Sequence, residues 1–122
     1  MDVQPANPLP AFKIKVQIIC GDQVAMGPGK ADVLDAIAAE GSISAAGRKL
    51  GMSYRRCWML VDVMNRCWVR PLVETSAAGA QLTPAGVSVL AGYRAMQAAA
   101  GASGAACWPA LAPALRETPA QP

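Results

Sequence analysis

A chain of 122 residues with a net charge of +3 is long enough for one hydrophobic core and little more. Its 53% hydrophobic content is inflated by alanine concentrated after residue 76, and no run of about eighteen strongly apolar residues marks a membrane-spanning helix. With no histidine, and no isolated carboxylate pair among Asp32, Asp35, Glu40, Asp62 and Glu74, the common acid–base and metal chemistries lack their residues. The expectation is therefore not an enzyme, with no cofactor and no metal site.

Residues 1–11 carry Pro5, Pro8 and Pro10 and read as a flexible leader; MDVQPANPLP lacks the basic start and apolar run of a signal peptide, so cytoplasmic residence is the default. Phe12, Ile14, Val16 and Ile18 alternate with Lys13, Lys15 and Gln17, the period of a half-buried strand. Gly21-Asp22 turns the chain into a short second strand at Val24 and Met26, which Gly27-Pro28-Gly29 ends.

A first helix is predicted from about Lys30 to Glu40, with Leu34, Ile37 and Ala38 on its core face and Asp32 and Asp35 in its early turns, where the dipole favours acids. Gly41 stops it. Ser42 or Ser44 caps a second helix, about Ser44 to Leu50, and Gly51 ends that one. Ser53 is placed to cap a third helix reaching about Trp68. At 100° per residue, Cys57, Leu60, Val61, Met64 and Trp68 form its buried stripe. Arg55, Met59, Asp62 and Arg66 fall opposite, with Tyr54 and Trp58 on one flank and Arg56 on the other.

Beyond Pro71, two short strands at Leu72–Thr75 and Ala80–Thr83 flank a four-residue loop, Ser76 to Gly79. Thr83-Pro84 starts a last helix, a capping threonine followed by proline at the first helical position, which runs to about Ala100. Val87, Leu90 and Ala91 lie on one side of it and Val89, Tyr93, Met96 and Ala100 on the other. One side covers the core. The second, Val89, Tyr93, Met96 and Ala100, is left for a partner helix, most simply in a homodimer. The main domain is read as 12–100, and the Ala/Pro-rich tail 101–122 is expected to be disordered.

Three helices followed by a two-stranded hairpin is the layout of a winged helix-turn-helix, so the fold class is α+β, mainly α, with an N-terminal β-hairpin and a long C-terminal dimerisation helix. Gly51 supplies the positive φ of the tight turn, and Gly47 faces the third helix, where a side chain would push the helices apart. Residues 41–70 hold Arg48, Lys49, Arg55, Arg56, Arg66 and Arg70 against Asp62 alone, a local +5 that leaves −2 for the rest. Arg55 and Arg56 stand in the first turn of the third helix, the end that enters the major groove in this motif. The helix dipole disfavours cations there, and nucleic acid gives them a reason.

The runs GPGKADVLDAIAAEGSISAAGRKLGMSYRRCWMLVDVMN, residues 27–65, and PLVETSAAGAQLTPAGVSVLAGYR, residues 71–94, resemble the N-terminal DNA-binding domain of molybdate-responsive regulators of the ModE type; the LysR-type winged domain is the nearest alternative. GSIS before the second helix, MSYRR and Trp58 on the third, the asparagine near its end and LTPAG after the hairpin carry the resemblance. It implies a dimer on a palindromic operator in double-stranded DNA, with dimer contacts through the first and last helices. By position, Ser53, Tyr54, Arg55 and Arg56 match the recognition segment, and Ser42 and Ser44 match GSIS, where a phosphate could be held. Arg48, Lys49 and Arg66 complete the candidate DNA-binding set. The chain departs from the family pattern in its short SAAG wing and in its proline-rich end, where such regulators carry oxyanion-binding domains. No molybdate site is assigned, and a single-domain regulator of unknown effector is expected.

Two other functions fit the same layout. One is a winged-helix protein-interaction module without DNA binding, favoured by the short wing and opposed by the local +5. The other is a thiol- or metal-responsive switch through Cys57 or Cys67. Cys20, Cys57, Cys67 and Cys107 show no CxxC spacing and read mainly as small core residues in a reducing compartment.

Overall fold

The computed structural model describes residues 11–122, in the order strand, strand, three helices, strand, strand, helix. The leader expected over residues 1–11 lies, but for Ala11, outside the described residues. Of the alternating segment that follows, only its end becomes a strand. β1 is Ile18–Cys20, paired antiparallel with β2, Gln23–Met26, through a turn at Gly21 with φ 60°. Residues 12–17 have no ladder partner; Phe12 and Val16 are half-buried whereas Ile14 is exposed, and the segment runs along the last helix.

α1 spans Pro28–Glu40, longer at its start than the sequence predicts, because Pro28 is itself well placed at a helix N-terminus. It buries Ala31, Val33, Leu34, Ala36 and Ile37, whereas Ala38, expected on the core face, is exposed. The added turn also takes Asp32 and Asp35 out of the first turn. Both accept from Arg94 Nη2, at 3.0 and 2.5 Å, and so tie α1 to the last helix. Gly41 closes α1 in the left-handed region, φ 78°.

α2, Ile43–Leu50, starts at an N-cap whose choice the structure settles: Ser42 Oγ accepts from the Ala45 N–H at 3.0 Å. Gly51, φ 69°, makes the turn to α3, Tyr54–Cys67, where Ser53 Oγ accepts from the Arg56 N–H at 3.1 Å. A Cβ on Gly47 would stand 3.0 Å from the Met52 carbonyl and 3.7 Å from Cys57 Cβ, so the turn backbone limits this position more than helix α3 does. The stripe phased on α3 is the buried one: Cys57, Val61 and Met64 are in the core, with Leu60 and Trp68 packed against it. Trp68 Nε1 donates to the Ala25 carbonyl at 3.0 Å and pins the end of α3 to β2.

The wing is tighter than expected. β3, Val73–Ser76, pairs with β4, Gly79–Leu82, Ser76 facing Gly79, so only Ala77 and Ala78 turn the chain. Asn65 fastens it to α3. Its Oδ1 accepts from the Leu72 and Val73 N–H groups at 2.8 and 3.1 Å, and its Nδ2 donates to the Val73 carbonyl at 3.0 Å. The tip end is fastened to α1: the Ala80 N–H donates to the Gly41 carbonyl at 2.9 Å, and a Cβ on Gly79 would stand 2.2 Å from that oxygen.

α4, Pro84–Cys107, is capped by Thr83, whose hydroxyl accepts from the Gly86 N–H and donates to the Pro71 carbonyl. Two of its expected features are corrected. The helix does not stop near Ala100 but continues to Cys107, followed by 3₁₀ turns at Trp108–Ala110 and Ala112–Ala114. Alanine is the best helix former, and no proline intervenes before Pro109. Gly104 also lets Phe12 and Ile14 approach closely, and Phe12 meets Trp108 at 5.5 Å between ring centroids.

The faces of α4 also differ from those expected, although Leu90, read on the side opposite Val89 and Tyr93, packs on the core as well. Tyr93 is 1% exposed and its hydroxyl donates to the Val16 carbonyl at 2.8 Å. Val89 packs on the core, Ala100 is half-buried, and of that set only Met96 is open, at 48%. The outer face is instead Val87, Ala91, Ala95, Ala98 and Ala102.

Candidate nucleic-acid interface

The first turn of α3 is the most exposed part of the helix-turn-helix. Cys57 and Val61 must point inward, and at 100° per residue this turns Tyr54, Arg55, Trp58 and Met59 outward. Tyr54 is 56% and Trp58 48% exposed. Arg55 and Arg56 are exposed too, and among the described residues no carboxylate lies within salt-bridge distance of either. Two guanidiniums at a helix N-terminus oppose the dipole with no carboxylate among the described residues to compensate them.

Two grooves flank this turn. On the wing side, Ser42, Ser44 and Tyr54 meet Thr75 and Ser76 of β3 around a shallow groove of about 220 Å³, rich in hydroxyls and without a charged side chain. On the other side, Ser53, Arg55 and Arg56 meet Gln23 of β2 and Lys30 of α1 around a groove of about 390 Å³ floored by Met59, Leu60 and Val63. Burial lowers the pKa of the Lys30 ammonium below its usual value, and the nearby Arg56 adds repulsion.

Of the nine residues read from the sequence as DNA-binding, six thus line the two grooves beside the α3 N-terminus: Ser42, Ser44, Ser53, Tyr54, Arg55 and Arg56. Arg66 lies further along the outer face of α3, paired with Asp62 at 3.0 Å. Arg48 and Lys49 stand at the far end of α2 and line neither groove; Lys49 sits 3.8 Å from Glu40. Sequence reasoning missed Lys30. The signal was there, since a lysine in the first turn of a helix defies the dipole as Arg55 and Arg56 do. It also missed what Asn65 does, because an asparagine two residues before a helix end carries no mark of the strand it will clasp.

The cysteines divide by burial. Cys57 is in the core, where desolvation pushes its thiol pKa up; Cys20 and Cys107 are exposed. Cys67 is intermediate, and its thiol pKa is raised by burial first and by the neighbouring Cys20 second. No group of three or more potential ligands gathers into a metal site among the described residues.

Residues 30–87 match the family described as bacterial regulatory helix-turn-helix protein, lysR family. The chain is 41% identical over 78 residues to the molybdenum-pterin-binding protein MopB of Rhodobacter capsulatus, covering 60% of this chain and 29% of that protein. It is 40% identical over 70 residues to the molybdenum transport protein ModE of Herbaspirillum seropedicae, covering 53% and 26%. The chain thus spans less than a third of the length of these relatives. Among solved structures it resembles the CbnR DNA-binding domain in complex with DNA, with a TM-score of 0.57 and 27% identity over 67% of this chain and 94% of that one. Full-length CbnR with its target DNA gives a TM-score of 0.55 at 26% identity, over 65% of this chain and 27% of that one. Helices α1 to α3, the wing and the start of α4 form a winged helix-turn-helix, which matches the lysR-family helix-turn-helix over residues 30–87 and is similar in sequence to ModE and the Mop proteins.

Proposed function

We propose that this chain is a sequence-specific transcriptional regulator that binds double-stranded DNA as a homodimer on a palindromic operator. The observation that carries the reading is the pair Arg55 and Arg56, exposed on the first turn of α3 with no carboxylate partner among the described residues. A guanidinium there reaches guanine O6 and N7 in a bidentate contact or neutralises a phosphate. The likeness to the DNA complexes of CbnR supports the same placement, and the ModE and Mop relatives support a link to molybdenum or oxyanion metabolism. Nothing in the reading calls for catalysis, a cofactor or a membrane; no described helix is long and apolar enough to cross one. The domain is read as 12–100, with the remainder of α4 as an extension. For the dimer, the outer alanine-rich face of α4, from Val87 to Ala102, is the surface left for a partner helix, in place of Val89, Tyr93 and Ala100.

The test is selection from a randomised duplex pool, with an Arg55→Ala/Arg56→Ala variant alongside and salt varied. The expected outcome is a palindromic site, steep loss of affinity with salt, and at least a hundredfold weaker binding by the variant, about 1–3 kcal/mol for each bidentate pairing with a base that is removed. Binding that is weak, unselective and unchanged by the double substitution would move the protein-interaction reading, which the two-residue wing turn favours, into first place.

A further inference from the structure

The groove between α1 and α3 gathers three cations from two elements that are far apart in sequence. Lys30 comes from the first turn of α1, and Arg55 and Arg56 from the first turn of α3, with Ser53 and the Gln23 amide on the rim. No carboxylate lies within salt-bridge distance of any of the three among the described residues, although Lys49, Arg66 and Arg94 each have one. The wing-side groove has hydroxyls and no charge. The wing is also too short to reach far, turning on Ala77 and Ala78 alone. A backbone phosphate beside α3 would therefore find its cation on the α1 side.

We propose that Lys30, acting with Arg56, is a phosphate-binding residue that clamps the DNA backbone on the α1 side of the recognition helix. This rests on the DNA-binding reading above and adds a contact that the helix-turn-helix itself does not supply. The phosphate chemistry is that of a duplex backbone: one cation from α1 and two from α3 line the same open groove, and its apolar side chains Met59, Leu60 and Val63 carry no hydrogen-bonding group to grip a small anion. The negative charge of a phosphate there offsets the desolvation of the ammonium and its repulsion from Arg56. Lys30 then sets register and affinity without reading sequence.

The experiment uses the full chain and the DNA site enriched from the pool, with affinity measured across a salt series for wild type, Lys30→Met, Lys30→Arg and Arg55→Ala/Arg56→Ala. Lys30→Met is expected to bind about three- to tenfold more weakly and to lower the salt slope by about 0.9 per chain, one phosphate contact. Its selected sequence should be unchanged, and Lys30→Arg should restore the slope. A second readout needs no variant: amine acetylation of the wild type, where bound DNA should protect Lys30 more than Lys13 and Lys15. If Lys30→Met keeps the wild-type slope and Lys30 is not protected, while the double arginine variant still loses binding, the clamp is wrong and the DNA-binding reading stands. If free inorganic phosphate protects Lys30 as well as the duplex does, the groove is a small-anion site and the clamp is likewise overturned. A wild type with no salt-dependent duplex binding removes both.

Discussion

Helix α3 has unlike neighbours on its two sides. Toward the wing it is held to backbone atoms at fixed distances: Asn65 closes three hydrogen bonds on Leu72 and Val73, while the wing is itself seated on the end of α1 through Gly79, Ala80 and the Gly41 carbonyl. Toward α1 the outer rim is a set of side-chain charges, Lys30, Arg55 and Arg56, that repel one another. One side fixes shape and the other stores charge. The proposed role of α3 as a recognition helix needs both, because its angle must be set before a ligand arrives and its cations must stay available until then.

Substitutions at three positions break or sharpen that contrast. The largest effect is expected at the root of the wing, where a Cβ on Gly86 would stand 2.1 Å from the Leu72 carbonyl. Gly86→Ala should cost about 3 kcal/mol, since backbone has to move, and denaturant unfolding will register it as a lower midpoint. A stability within error of wild type would mean that the wing root is free to shift away from α4. Asn65→Ala comes next, at about 2 kcal/mol, because it strips partners from two N–H groups and a carbonyl that are partly buried. Asn65→Asp, which keeps the acceptor and loses the donor, should fall between wild type and Asn65→Ala.

The smallest effect on stability belongs to the charged outer face. Asp62→Asn breaks an exposed i,i+4 pair with Arg66 and should change stability by only about 0.3 kcal/mol. On the proposed DNA-binding reading it should nevertheless tighten duplex binding a few-fold at low salt, by removing a negative charge beside Arg55 and releasing Arg66. Equal affinity for the two proteins at every salt concentration would show that this part of α3 stands clear of the backbone.

Much of the fold was legible where a single element decides its own geometry. The buried stripe of α3 followed from its period, because Cys57, Val61 and Met64 differ sharply in character from Arg55 and Arg66. Ser53 and Thr83 were legible as caps, since a hydroxyl before a helix start has a local partner. The face of α4 was not. Its residues are mostly alanine and glycine, so hydrophobicity contrasts little around the helix. What turns it inward is Tyr93 reaching a carbonyl on Val16, 77 positions away. The close approaches at Gly79 and Gly86 are hidden for the same reason, as the oxygens they avoid belong to Gly41 and Leu72. For the site, the arginines of α3 announced themselves, whereas Lys30 became their neighbour only when β2 and α1 folded beside them.

The three indoles occupy three different environments. Trp58 lies open among Arg55, Met59 and Arg66 on the outer face of α3; Trp68 is hydrogen-bonded to Ala25 against the core; Trp108 tilts against Phe12 at the end of α4. In optical terms the molecule carries its own three reporters. Fluorescence from Trp58 reads the face offered to a duplex, that from Trp68 reads whether the core is assembled, and that from Trp108 reads whether the end of α4 is docked. Single-tryptophan variants would therefore separate binding, folding and helix docking by emission alone, with no dye attached.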